Sequence, residues 1–305
     1  MKKDAKAMSR LRTSILETVS YFGVFDCPLT LSEIRTYLDQ EIDLLSLEQE
    51  LSLLVELGIL QLAQGFYSSD SRLIITRQQR FAYARRKLKK AQLVAKLFAR
   101  LPWVRLVALG NQIGASNLRE SGDLDLLIVC KPKCIWLTRL ATAGLMAIAR
   151  QRPTAIKSRD QICLSFFISS DNLSFDKYLL APEDRYFTYW FAGLKVLYDA
   201  DHYHQSLIEA NAKLCASLPN WSANSQRQIV KDNRDKAWPW LNIFNSLESW
   251  ARTWQLAHLP TELRAAQTSG QVIINDQVLK LHTKDRRRDF AKIFEERLQA
   301  LVDKL

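Results

Sequence analysis

Leu109-Gly110-Asn111 and, beyond a loop, Ser121-Gly122-Asp123-Leu124-Asp125-Leu126-Leu127-Ile128-Val129 are the stretches whose reading decides the fold. Val104 to Leu109 is a short apolar run that stops at Gly110, and Asp123 to Val129 reads as a second strand. Residues two apart on a strand face one side, so Asp123 and Asp125 project together, about 7 Å apart along the chain. Two carboxylates on an apolar sheet edge repel each other, and burial penalises them further. A divalent cation between them reverses that penalty, and hard oxygen ligands suit Mg²⁺ or Mn²⁺. A solvated strand end whose two acids bind nothing is the bland alternative. Gly110 after its strand permits a turn that exposes backbone N–H groups, a geometry that favours phosphate oxygens.

Outward from this pair, Ile135 to Arg150 reads as a helix and Ile162 to Ile168 as a third strand. The alternation makes the centre of the chain α/β or α+β. Beyond Asp184 the pattern is mostly helical, with aromatic-rich segments at Tyr186 to Tyr198 and Leu241 to His258. A hairpin is signalled by Val272 to Ile274, the turn Asn275-Asp276, and Val278 to Leu281. A final helix, Arg286 to Leu301, carries Phe290, Ile293, Phe294, Leu298 and Leu301 on one face.

The first 75 residues read as three helices and a hairpin, the order of a winged helix-turn-helix. Leu11, Ile15, Val19 and Phe22 form a helical stripe that ends at Gly23. Thr30 with Glu33, and Ser46 with Gln49, are capping boxes that open the next two helices. Gly58 closes the third helix, and Gly65 turns the hairpin between Ile59–Leu62 and Phe66–Tyr67. Between Arg35 and Arg72 there is no basic residue, while Asp39, Glu41, Asp43, Glu48, Glu50, Glu56 and Asp70 fall there. Phosphate neutralisation carries most DNA affinity, so an acidic reading helix argues instead for a module that docks a protein or another part of this chain.

The next stretch inverts the sign: from Ser71 to Arg119 there is no acid, and Arg85, Arg86, Lys87, Lys89 and Lys90 cluster. Phe81, Ala84, Leu88, Ala91, Ala95 and Phe98 recur at helical steps, giving one long basic helix. Its cations are a solvated face, partners of the acidic first module, or contacts for nucleic acid along residues 77–100.

With 305 residues, 48% hydrophobic and 25% charged, the chain has the composition of a packed globular protein. Lys and Arg number 43 against 32 Asp and Glu, and the surplus of +11 calls for an anionic partner. Five scattered cysteines define no disulfide framework and fit a reducing cytoplasm. No signal peptide is evident, and the run Ile135 to Ala149 is too short to span a bilayer, so no membrane role is expected.

The phosphate turn followed by an Asp-x-Asp strand resembles the nucleotidyltransferase superfamily that includes DNA polymerase beta. Leu109-Gly110-Asn111 and Asp123-Leu124-Asp125-Leu126 match its two motifs. The whole chain is also similar to a bacterial subgroup with an N-terminal winged helix. Tyr21-Phe22 through Pro28-Leu29-Thr30, Gln161 to Leu164, and Leu279 to His282 with the helix after it carry that wider likeness. The resemblance implies an α+β protein: a winged helix over 1–75, a linker helix over 76–102, a nucleotidyltransferase domain over 103–200 and a helical part over 201–305. It implies that Asp123 and Asp125 are catalytic and bind Mg²⁺ or Mn²⁺, and that Gly110 and Asn111 contact a nucleoside triphosphate. A hydroxyl of a protein, RNA or small molecule would then attack the α-phosphate and release pyrophosphate. Three departures qualify it. Asn111 stands where the family has Ser, and Gly114 and Ala115 alter the following loop. The third carboxylate, which activates the attacking hydroxyl, is missing from Ile162 to Phe167. There Ser165 is the side-chain oxygen available, with Asp160 and Asp171 just outside the strand. The competing reading is a degenerate member that binds nucleotide or nucleic acid without turnover; a DNA-binding regulator is a third.

Other groups invite weaker readings. Cys130 and Cys134, and His202 with His204, have metal-like spacing but lack further ligands nearby. His258 and His282 have no evident partner in the sequence. Trp238-Pro239-Trp240 reads as a buried helix junction, and Lys284 with Arg286 to Arg288 as a secondary phosphate contact at a helix start.

Overall fold

The structure, a computed structural model, describes residues 2–111, 116–154, 156–180, 184–223, 241–268, 271–283 and 285–305. Gly114 and Ala115, Trp238-Pro239-Trp240 and Lys284 therefore lie outside the described residues.

Helix α1 (Lys2–Gly23) buries Leu11, Ile15, Val19 and Phe22, the stripe its periodicity predicts. Strand β1 (Leu29–Thr30) runs into α2 (Leu31–Tyr37), where the expected capping box closes. Glu33 N donates to Thr30 Oγ1 at 3.2 Å, and Thr30 N donates to Glu33 Oε2 at 2.9 Å. Helix α3 (Leu44–Glu56) starts three residues earlier than Ser46 would place it. Asp43 is its cap, accepting from Ser46 N at 2.9 Å. A carboxylate there satisfies an orphan N–H and also faces the positive end of the helix dipole, an advantage Ser lacks. Gly58 (φ +70°) ends the helix and Gly65 (φ +79°) turns β2 (Gln61–Ala63) into β3 (Phe66–Ser68). The three strands form an antiparallel sheet in the order β1-β3-β2.

Helix α4 (Arg72–Phe98) buries Ala84, Ala91, Ala95 and Phe98, but Phe81, expected on the same stripe, is 54% exposed. Arg77, Arg80 and Lys87 take buried positions instead, because each finds a polar partner. Arg77 pairs with Glu33 at 2.5 Å, and Arg80 donates to Phe25 O at 2.9 Å and lies 3.4 Å from the Asp26 carboxylate. The basic helix thus clamps the first module with part of its charge.

The central sheet takes β4 (Val104–Leu109), β5 (Leu124–Cys130), β6 (Ile162–Ser169), β7 (Lys195–Asp199), β8 (Ile273–Ile274) and β9 (Val278–Lys280). Its order is β7-β4-β5-β6-β9-β8, with β5 and β6 parallel and the other pairs antiparallel. A mixed sheet with eleven α-helices among the described residues makes the protein α+β. Leu124, Leu126 and Ile128 point to one face, where α4 and α5 (Ile135–Ile148) cover them. Leu127 and Val129 point to the other, beneath α6 (Arg185–Ala192), α7 (Tyr203–Ala210) and α8 (Ala212–Ala216). Asp123 and Asp125 share that second face by strand alternation.

Strand β7 corrects the helical reading of Tyr186 to Tyr198: α6 stops at Gly193, and Val196 and Tyr198 pair with β4. Five apolar-rich residues carry too little periodicity to distinguish helix from strand. The described residues after 240 divide between cores. Helix α9 (Leu241–Ala257) packs on α5, where Glu248 accepts from Trp136 N at 2.9 Å and Leu137 N at 2.7 Å. These are orphan donors of a helix start. After α10 (Thr261–Thr268), β8 and β9 extend the sheet, and α11 (Arg287–Val302) returns to pack Phe294, Leu298 and Leu301 into the core around α1. Among the described residues, no helix is long and apolar enough to cross a membrane.

Candidate metal centre and the adjoining cavity

Gly110 continues the β4–β5 ladder by donating its N–H to Asp125 O at 2.8 Å, and Asn111 Nδ2 donates to Asp123 O at 2.7 Å. The two motifs are therefore neighbours across adjacent strands. The glycine has a second reason to be there: a Cβ at 110 would lie 3.1 Å from Trp190 Nε1, so the indole rests on this turn. Asn111 Oδ1 is buried with no hydrogen-bond partner among the described residues.

Across the parallel pair, Asp125 stands opposite Cys163 of β6. One oxygen of Asp123, one of Asp125 and Cys163 Sγ all lie within 4.8 Å of one another. Burial and the neighbouring Asp125 charge push the Asp123 carboxyl up to about 6. The Cys163 thiol is also pushed up, chiefly by burial and then by Asp125. Both shifts report negative charge crowded into a poorly solvated corner, the state a cation relieves.

Ser165, the sequence candidate for the third position, lines the same cavity as Asp125 and is engaged by two side chains. Between Asp125↔Cys163 and Leu127↔Phe166 the register shifts, with one more residue on β6 than on β5. That irregularity re-aims the strand. Ser165 Oγ shares a 2.6 Å hydrogen bond with His282 Nε2 and accepts from Cys163 Sγ at 3.4 Å. His282 Nε2 is in turn 4.0 Å from Asp125 Oδ1. Neither acidic substitute joins the cluster. Asp160 is held by Lys87 at 2.6 Å and Arg86 at 3.1 Å. Asp171 follows the far end of β6, opposite the end where Cys163 sits.

A cavity of about 280 Å³ opens beside Asp125, reached by Gly110, Asn111, Ser165 and His282. Its aromatic walls include Tyr186 stacked on Phe290 (5.6 Å between ring centres) and Trp190 stacked on Phe166 (5.7 Å). Lys280 and Arg286 bring positive charge to it. Of the basic knot expected to meet phosphate, Arg287 is committed internally, 2.5 Å from Asp184 and 2.6 Å from Asp285, while Arg286 faces the cavity and solvent. Arg288 lies outside this cavity and lines a separate cleft with Glu295.

The sequence missed Cys163, His282, Lys280 and Lys87. Cys163 was within view, two residues before Ser165, but a search for oxygen ligands passes over a thiol. His282 is 117 residues from Ser165 and is brought there when β9 pairs with β6, a contact with no local signal. Lys87 is fully buried, donating to Glu120 O at 3.1 Å and to Gly122 O beside Asp123. Of the other metal-like pairs, Cys130 and Cys134 are buried free thiols, and His204 is buried with its backbone N–H on Asp199 Oδ1. His258 Nδ1 bonds Trp254 O at 2.8 Å.

The donor chemistry fits a divalent cation in part. Two carboxylates suit a hard cation such as Mg²⁺, but a thiol at the third corner does not. Comparison with family models, curated proteins and solved structures returns no match to this chain.

Proposed function

We propose that the protein is a divalent-metal-dependent nucleotidyltransferase, moving a nucleoside monophosphate from a triphosphate to a hydroxyl acceptor. The observation that carries the reading is the adjacency of Gly110–Asn111 to Asp123 and Asp125 across β4 and β5, beside a cavity lined by Lys280, Arg286 and Arg287. Asp123 and Asp125 hold the cation, which when bound supplies positive charge to a triphosphate. Gly110 shapes the turn, its own N–H being committed to Asp125 O, the second amide hydrogen of Asn111 Nδ2 is the donor left for a phosphate oxygen, and Lys280 and Arg286 balance the charge of the polyphosphate. The acceptor oxygen forms its bond to the α-phosphorus as the bond to pyrophosphate breaks, and the acceptor's proton leaves to solvent. In this reading residues 103–200 are a nucleotidyltransferase-fold domain, and α1 to β3 are a winged helix that serves a protein partner. The exposed cations Arg85, Lys89 and Lys96 of α4, with Arg100 just beyond it, offer a face for nucleic acid, a role that affinity independent of salt would exclude.

One observation favours a second reading, a nucleotide-binding regulatory protein without turnover: no third carboxylate joins Asp123 and Asp125 among the described residues. Incubation with each labelled nucleoside triphosphate, a divalent cation and a cell extract separates the two. Label transfer that disappears in Asp123→Ala/Asp125→Ala is the result expected of an enzyme. Metal-dependent nucleotide binding with no transfer from any of the four nucleotides leaves the regulatory reading.

A further inference from the structure

We infer that Cys163 is the third ligand of the metal centre, and that the site takes a thiophilic divalent cation of the Zn²⁺ or Co²⁺ type in preference to Mg²⁺. The inference rests on the metal-dependent reading above and narrows which metal that reading requires.

Three donors from two strands converge on one point: a carboxylate oxygen each from Asp123 and Asp125, and the sulfur of Cys163. They are held there by the sheet itself. Asp123 leads directly into β5, Asp125 and Cys163 are register partners, and Leu124 and Ile162 on either side are fully buried. The corner is therefore rigid, and a cation bound between the carboxylates meets sulfur without rearrangement of either strand. Beside it, the buried and unpartnered Oδ1 of Asn111 is an orphaned acceptor in the wall of the same cavity, which is where a metal-bound water or ligand donor belongs.

The chemistry then selects the metal. Mg²⁺ takes oxygen ligands in a strict octahedron and parts reluctantly with its waters, whereas thiolate favours softer ions. Two carboxylates and one thiolate match the four-coordinate preference of Zn²⁺ with one position left for water or substrate. His282 Nε2 bonds Ser165 Oγ at 2.6 Å and lies 4.0 Å from Asp125 Oδ1, beside the three donors. On binding, the sulfur–metal bond forms as the Cys163 S–H bond breaks, and the proton leaves to solvent. One proton is therefore released per metal ion bound through sulfur.

Cobalt tests this without reference to activity, because thiolate-bound Co²⁺ shows a near-ultraviolet charge-transfer absorption that oxygen ligands do not produce. The full-length protein is titrated with Co²⁺, then challenged with Zn²⁺ and with Mg²⁺. The expected result is a charge-transfer band that disappears in Cys163→Ser and in Asp125→Ala, is abolished by stoichiometric Zn²⁺, and resists at least a hundredfold excess of Mg²⁺. Cys163→Asp is expected to lose the band and gain tenfold or more in Mg²⁺ affinity. Cobalt bound without the band, or a band that persists in Cys163→Ser, overturns the role of Cys163 and leaves the proposed transferase standing on its two carboxylates. Displacement by Mg²⁺ at matched concentration overturns the metal preference. Absence of any bound divalent cation overturns both this inference and the function proposed above.

Discussion

Asp125 and Cys163 stand opposite one another on parallel strands, so that a carboxylate of β5 meets a thiol of β6 beside a second carboxylate, Asp123. Burial first, and Asp125 second, raise the Asp123 carboxyl to about 6. The unfolded chain has an ordinary value of about 3.9. A group whose folded pKa is raised binds its proton more readily when folded, so its ionisation opposes folding. The penalty is absent below about pH 4, grows between about pH 4 and 6, and is complete above that range. In chelator, Asp123→Asn is therefore expected to melt higher than the natural protein at pH 7 and level with it near pH 4. Thermal melts across that range check it, and a gap independent of pH would refute the cause given. Added divalent cation should reverse the order, since only the natural protein keeps both carboxylates.

Lys87 steadies the approach to the same strand. Its ammonium is fully buried, 2.6 Å from Asp160 and bonded to the carbonyls of Glu120 and Gly122. Its charge also acts to lower the Asp123 carboxyl. Lys87→Met strands Asp160 and two carbonyls, at a cost of about 3 kcal/mol, the lower end of the range for breaking a buried pair because Arg86 still reaches Asp160. Urea midpoints measure the loss. The pH window of the Asp123 effect should move upward in this variant, which a loss of packing alone would not do.

These two residues show how far sequence reading reaches. Asp123 and Asp125 were legible because strand alternation is a local rule, and Gly110 because it ends a strand. The α+β architecture, β4, β5, β6 and the hairpin β8–β9 followed from the same local patterns. Lys87 was read as one cation in a basic run; only the packing of α4 against the loop before β5 shows it to be buried. Cys163 required the register of β6 on β5, and His282 required β9 beside β6, both long-range pairings that periodicity does not encode. Ser46 lost the helix cap to Asp43 because two capping residues stood three apart and electrostatics chose between them.

Gly110 permits a prediction with an internal control. A Cβ there would stand 3.1 Å from Trp190 Nε1, tighter than packed atoms usually sit, so the indole must give by a few tenths of an ångström. Gly110 N also bonds Asp125 O, so displacement of the turn disturbs a metal ligand. Gly110→Ala is expected to cost about 1–3 kcal/mol of stability, as overpacking does. Trp190→Phe removes the indole atoms concerned and should restore part of the loss when combined with it. Denaturant midpoints of the two single variants and the double variant close the cycle, and strict additivity would exclude the contact as the cause.

The junction between the cavity and the last helix turns on Arg287, where α11 begins. Its guanidinium lies 2.5 Å from Asp184 and 2.6 Å from Asp285, with side chains of Arg287 and Asp184 only 9% and 4% exposed. Asp184 also caps α6 by accepting from Phe187 N at 3.0 Å, so one cation joins two helix starts. Arg287→Met leaves a buried carboxylate without its counter-charge and is expected to cost about 3–5 kcal/mol. Burial opposes ionisation of Asp285, yet hydrogen bonds from Arg287 and the charge of Lys280 outweigh it and hold the carboxyl well below its ordinary range. A lowered folded pKa contributes stability above the unfolded value of about 3.9 and loses it as pH falls through the folded one. The gap between the natural protein and Arg287→Met should therefore be widest near pH 7 and narrow below about pH 4. Urea midpoints at pH 7 and about pH 2 measure both, and an unchanged gap at the lower pH would show that Arg287 stabilises the junction by packing and not by charge.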